Sequence, residues 1–265
     1  KRAKVEPPVA TVVNVLVETG DGGPMSAAAY NLPNYEDVRR QYGSKNVVLL
    51  NVETARSPQL TAATNQAFYL PADQELMSQY ATLGRQWLVY MHEVIGHGSG
   101  QADEALKGAD PAVLIGGTYS ALEECRADCV ALYQFFDPKV VEIGAIGAEG
   151  QEQAAKAMYL QTLTRQVMAN GLTEGEVIRE AHERGSQLVL NYLTQPGKDF
   201  GVQILQKDGH FFVDVTDVKK AREGVGEILV KLQTLKSMGD KAGADAFFDQ
   251  FGTKINRDWQ KDAKA

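Results

Sequence analysis

His92 and His97 stand five residues apart in HEVIGH, and that spacing constrains the backbone more than any other feature of the chain. The residues before them, from Pro71 onward, place Leu76, Tyr80, Leu83, Trp87 and Met91 at steps of three and four. A long amphipathic helix therefore runs into the motif. Pro71 and Asp73 suit its start, and Gly96, Gly98 and Gly100 suit its end. On a regular helix, histidines four apart share a face, so both rings reach one ion. Five steps of about 100° aim the second ring roughly 140° away from the first. A wide π-type turn of about 4.4 residues brings it back to within roughly 50°. Gly96 is the residue expected to tolerate such a distortion best. The chain holds four histidines, so two of them around Glu93 at one helix end is a concentrated signal. The bland alternative is a pair of helix-end histidines on a polar surface. Without a ligand to hold both rings, however, a strained turn has nothing to offset it.

Two histidines do not complete a catalytic zinc site, which takes three protein ligands and keeps one position open. The segment LEECRAD (122–128) is the natural source of the third. Glu124 and Asp128 are four apart and share one helix face. Leu122, Cys125, Cys129 and Leu132 partly bury that face, so two like charges there repel and lose solvation, and a cation removes the cost. The competing reading is a solvated acidic patch paired with Arg126.

The remaining patterns describe a mainly α protein with a few β-strands, an α+β class. TVVNVLVE (11–18) reads as a buried strand and KNVVLLNV (45–52) as a second. Asn34 is placed to cap a short helix over 35–43. Helices are expected over Tyr119–Phe136, Glu149–Asn170, Glu174–Leu193, Val218–Met238 and Ala242–Phe251. The alternating segment 199–217, with Asp208-Gly209 at its middle, reads as a hairpin that leaves His210 exposed near the turn. Residues 1–10 read as a flexible lead-in, and 11–265 as one domain.

With 27 Lys and Arg against 34 Asp and Glu, the net charge of −7 argues against nucleic acid or an anionic membrane as partner. No apolar run of about eighteen residues exists to span a bilayer. Cys125 and Cys129, one helical turn apart, have poor geometry for a bridge and read as reduced, which suits a cytoplasmic protein. The chain opens at Lys1 without a leader pattern, as a processed product or an excised piece does.

HEVIGHGSG followed by EECRAD resembles the dipeptidyl peptidase III family, zinc exopeptidases marked by HExxGH and EExRAD/E motifs. NLPNYEDVRRQYGSKNVVLLN (31–51) is similar to the family's NIPNYDDLRQ…KNVSLGN segment, and LQTLKSMGDKAGADAFF (232–248) to its LQ.LKS.GD..G segment. The order of the four agrees, and the likeness runs from about residue 18 to 251. The resemblance implies a helical zinc-metallopeptidase lobe with a small hairpin, carrying one zinc ion per chain. His92, His97 and Glu124 would be its ligands. Glu123 and Asp128 would orient the imidazoles. Glu93 would be the general base that takes a proton from water and returns it to the leaving amine. His182 aligns with a histidine thought to steady the tetrahedral intermediate. Asn31 and Asn34 align with residues that hold the substrate's N-terminal end.

The implied activity is release of dipeptides from the N-termini of short peptides. The family's enzymes are longer and two-lobed, so the expected domain is a fragment whose further partner is the missing lobe. This chain carries Ser186 where the family often has Arg. A zinc-containing peptide-binding or regulatory module with little turnover is therefore the alternative. An iron oxygenase also uses two His and a carboxylate, but it has no use for Glu93 between them, and its ligands usually lie on strands.

Overall fold

The computed structural model describes residues 10–17, 29–32, 38, 41–43, 45–54, 67–172 and 175–264. Three strands come first: β1 (Ala10–Val13), β2 (Ala29–Leu32) and β3 (Lys45–Leu49). The short helix α1 (Leu50–Thr54) follows, then α2 (Pro71–Met91) and a π-turn, His92–His97. Next come α3 (Pro111–Ile115), α4 (Tyr119–Gln134), α5 (Pro138–Glu142), α6 (Gln151–Leu172) and α7 (Ala181–Leu193). A hairpin, β4 (Val202–Lys207) and β5 (His210–Val215), precedes α8 (Val218–Met238), α9 (Lys241–Phe251) and α10 (Arg257–Lys264). The fold is mainly helical with a few strands in two small sheets, as the patterning requires. Among the described residues no helix is long and apolar enough to cross a membrane.

The core gathers around α4. Ala121, Leu122, Cys125, Ala127, Cys129, Val130, Ala131 and Leu132 are all buried, so this helix is covered nearly all round. It lies at the centre of the protein although Glu123 and Arg126 are among its covered residues. It packs against α2, α7, α8 and the π-turn. Both cysteines are free and buried on it. On α2 the deepest residues are Met77, Ala81, Gly84 and Met91. The expected stripe of Leu76, Tyr80, Leu83 and Trp87 is only partly buried beside them. Small residues explain the offset. At Gly84 a Cβ would lie 3.2 Å from Ala154 O and Met158 N, so α6 approaches α2 closest there.

Several expected boundaries shift for identifiable reasons. The first strand is four residues long and fully exposed, not a buried strand reaching Glu18. Its pairing with β3 is parallel and ends at Val13. The Asn51 side chain then takes both backbone groups of Val15, accepting from N at 2.9 Å and donating to O at 2.8 Å. The second expected strand stops at Leu49 because α1 begins at Leu50. The helix expected from Glu174 begins at Ala181 instead. Extended backbone precedes it: Val177 bridges Lys254, and Ile178 N donates to Thr253 O at 2.8 Å. Glu180 then caps α7 through Glu183 N. Of the short helix expected over 35–43, Val38, Gln41 and Tyr42 are helical; Asn34 and the lead-in 1–9 lie outside the described residues.

The hairpin turn forms at Asp208-Gly209, with φ of 53° and 89°. Positive φ at both central residues matches the right-handed twist of the strands. His210 is exposed, as expected, and its Nδ1 pairs with Asp262 Oδ1 at 2.6 Å. That contact ties the hairpin to α10, a helix the sequence patterns did not reveal. Asn256 caps α10 through Asp258 N and Trp259 N.

Gly96 has a different role from the one expected. Its φ is not in the left-handed region. A Cβ there would lie 2.8 Å from both Cα and Cβ of Ala127, so the residue is small because the π-turn presses onto α4. Gly96→Ala should therefore force the turn off α4 and cost about 1–3 kcal/mol of stability. A lower urea midpoint with an unchanged m-value checks this; an unchanged midpoint would show that the contact relaxes freely.

Candidate metal centre

The π-turn continues α2 without a break and spans the whole of HEVIGH. One extra residue per turn swings His97 back over His92, as the five-residue spacing demands. The two ring centroids lie 4.7 Å apart, edge to face at 86°. Behind them α4 supplies three carboxylates, each with its own task. Asp128 Oδ1 meets His92 Nδ1 at 2.7 Å, and Glu123 Oε1 meets His97 Nδ1 at 3.3 Å. With both Nδ1–H groups donating to carboxylates, each Nε2 lone pair is left to face inward.

Glu124 stands at the point where those lone pairs converge. Its Oε2 lies 3.1 Å from His92 Nε2, 3.4 Å from His97 Nε2 and 3.2 Å from His182 Nε2. With the rings neutral and protonated at Nδ1, this buried oxygen faces their lone pairs and receives no hydrogen bond. Ligand atoms of His92, His97 and Glu124 all lie within 4.8 Å of one another. A buried acceptor without a donor, ringed by inward-facing imidazole nitrogens, is the arrangement that a cation at the centre resolves. The residues present therefore fit a metal ion.

The electrostatics of the bare cluster follow from its crowding. Burial pulls the His92 ring down, but Asp128 and then Glu124 outweigh it and push the ring up to about 10. His97 is also raised, with burial overcome by Glu123 and Glu124. Burial would lift the Glu124 carboxyl, but the three imidazoles hold it well below the usual carboxylate range. Glu93, next to His92 in the chain, is raised chiefly by burial. His182 is pushed up to about 9, first by Glu124 and further by Glu180. Glu180 Oε1 holds His182 Nδ1 at 2.8 Å, and the His182 ring stacks on His92 with centroids 6.1 Å apart.

LEECRAD is not a solvated patch. Arg126 is 1% exposed and Glu123 8%. Arg126 grips Glu123 through Nη2 at 2.6 Å and Nε at 3.0 Å, and its Nη2 also donates to Gly96 O at 2.7 Å. A second cation, Lys236 of α8, reaches Glu123 Oε2 at 2.8 Å and is 3% exposed. Sequence reasoning missed this lysine and Glu180. A signal for the lysine existed: Lys236 lies four residues after Leu232 on the buried stripe of α8. A charge on an apolar stripe calls for a partner.

The cluster opens into a cavity of about 850 Å³. Glu93, His182 and Ser186 line it, as does β2 with Asn31. Asn31 is buried, its Nδ2 donates to Asn46 Oδ1, and its own Oδ1 meets no donor among the described residues. The structure thus gathers His92, Glu93, His97, Glu123, Glu124, Asp128, His182 and Asn31 around one space. Asn34 lies outside the described residues.

Comparisons with known proteins agree with this fold. Dipeptidyl peptidase 3 of Homo sapiens is 28% identical over 281 residues, covering 92% of this chain and 37% of its own length. The solved structure of dipeptidyl-peptidase III from Corallococcus sp. strain EGB matches 95% of the chain with a TM-score of 0.75 and 26% identity. That of DPP III from Caldithrix abyssi covers 97% with a TM-score of 0.75, and at 24% identity it speaks for the fold. The chain spans 43% and 46% of those two structures, so it is under half the length of each relative. The model of peptidase family M49 matches residues 1–105 and 106–264. From HExxGH through the whole helical frame that holds it, the chain belongs to peptidase family M49.

Proposed function

We propose that this chain is the zinc-bearing catalytic domain of a metallopeptidase that releases dipeptides from the N-termini of short peptides. The observation that carries the reading is the convergence of His92, His97 and Glu124 on one buried point beside Glu93 and an open cavity. Two imidazoles and a carboxylate suit zinc, which accepts nitrogen and oxygen donors with a position left over for chemistry. Zinc held by these three residues supplies Lewis acidity, polarising a peptide carbonyl and making water a nucleophile near neutral pH.

The chain's own residues do the rest. Asp128 and Glu123 hold Nδ1 of the two rings, fixing tautomer and orientation. Glu93 lines the cavity with a carboxyl raised by burial, so it takes up a proton closer to neutrality than an exposed glutamate does. It accepts the proton of the attacking water and passes it to the leaving amine. His182 lines the cavity with its Nδ1 held by Glu180 Oε1, and through Nε2 it would donate to the scissile carbonyl oxygen as negative charge develops there. Asn31 offers its donor-free Oδ1 to the ammonium of a peptide N-terminus. Its strand, β2, is an outer strand of the three-stranded sheet and lines the cavity, so an extended peptide can pair along that edge.

The likeness to dipeptidyl peptidases supports dipeptide release, and their greater length supports a second lobe that completes the substrate cleft. A zinc-containing module that binds peptides with little turnover is the second reading. Ser186, buried on the cavity wall where the family often carries Arg, favours it.

The decisive variant is Glu93→Gln. It should keep one zinc per chain and lower kcat on a dipeptidyl chromogenic substrate by ~10²–10⁴-fold. Retained full rate would refute the mechanism, and peptide binding by the wild-type protein without any product would favour the second reading. Zinc uptake should also release protons. His92 in the metal-free site is charged below about pH 10, and only the neutral ring binds metal. Calorimetry in buffers of different ionisation enthalpy should therefore show proton release at pH 7. Affinity should weaken as pH falls and keep rising above pH 6.5, where an ordinary histidine would already have levelled off.

A further inference from the structure

We propose that Lys236 is a positioning residue for the metal centre, acting through Glu123 on His97. The inference rests on the zinc reading above and adds to it a residue from a distant helix. Glu123 receives four contacts. Its Oε1 takes Arg126 Nη2 at 2.6 Å and faces His97 Nδ1 at 3.3 Å. Its Oε2 takes Arg126 Nε at 3.0 Å and Lys236 Nζ at 2.8 Å.

Charge balance alone does not require the lysine. Arg126 already forms a two-pronged pair with Glu123, which neutralises it and fills lone pairs on both oxygens. A second buried cation carries a heavy desolvation cost, and nothing in the pairing demands it. Geometry does. Arg126 sits three residues after Glu123 on α4, so it can hold the carboxylate only against its own helix. Lys236 approaches from α8 and fixes the carboxylate from outside α4. The neighbouring backbone strengthens the link. Ser237 O accepts from Asp103 N at 2.8 Å, and Gln233 Nε2 donates to Gln101 O at 3.3 Å. The segment leaving the π-turn is thus tied to the turn of α8 that carries the lysine. Glu123 is held from three sides, by α4, by the π-turn through the shared Arg126 contact to Gly96 O, and by α8. His97 inherits that fixed position.

The sign of the effect separates positioning from simple electrostatics. Removing a cation near a divalent ion should tighten binding if charge alone matters. Loss of an orienting contact should weaken it by about 10-fold. The test is competitive zinc titration of the protein, with cobalt substituted in parallel to read coordination from its visible spectrum. Wild type must first bind one zinc; failure there overturns the zinc reading rather than this inference. Lys236→Met should then weaken zinc by about 10-fold and alter the cobalt spectrum. Lys236→Gln keeps a donor without the charge and should hold zinc near the wild-type affinity, while Lys236→Ala should repeat the loss if the Met variant does not fold. In a Glu123→Gln background the lysine substitution should have almost no further effect on affinity, because the two act in series. Unchanged or tighter zinc binding by Lys236→Met, or an equal loss in the Glu123→Gln background, overturns the proposal.

Discussion

The contact between Gly96 and Ala127 governs the site. A helix that must present His92 and His97 to one point has to widen, and a widened turn is stable only where something presses it into shape. Here α4 does so, at a separation that leaves no room for a Cβ on Gly96. The same contact brings Glu124 to the two Nε2 atoms and puts Gly96 O within reach of Arg126. Ligand geometry and helix packing are thus one constraint.

Keeping charged groups at the centre of the protein is expensive, and the arrangement of α4 shows how the cost is met. Of its three site carboxylates, Asp128 and Glu123 each face an imidazole Nδ1, and Glu123 is further gripped by two cations. Glu124 keeps a buried oxygen that meets no donor while the rings are neutral. Among the buried side-chain atoms left without a partner, it is the one at which the His92, His97 and His182 Nε2 atoms converge, as the proposed metal site requires.

Among the described residues, helices form one side of the site. The cavity floor is built from α2, α4, α6 and α7, with β2 along a wall. The two solved relatives are more than twice as long as this chain. On the function proposed above, zinc chemistry would need only the floor, whereas counting two residues from a peptide terminus would need walls that position the chain. Catalytic rate depends strongly on such positioning.

The local patterns in the chain determined most of the helices, the hairpin turn at Asp208-Gly209, and the need for a π-turn at HEVIGH. They did so because periodicity, turn chemistry and histidine spacing act within a few residues. Short helices such as α3 and α5 escaped notice, although Asp110 and Asp137 cap them just before a proline. Packing between distant segments settled the remainder. It chose which face of α2 lies deepest, since Gly84 and Ala81 matter only when α6 arrives. It also began α7 at Ala181, because Val177 and Ile178 pair with residues near 254. It turned Gly96 from a conformational need into a spatial one, and it joined Lys236 to Glu123 across 113 positions of chain. Such contacts depend on distances between helices, which no local run of residues encodes.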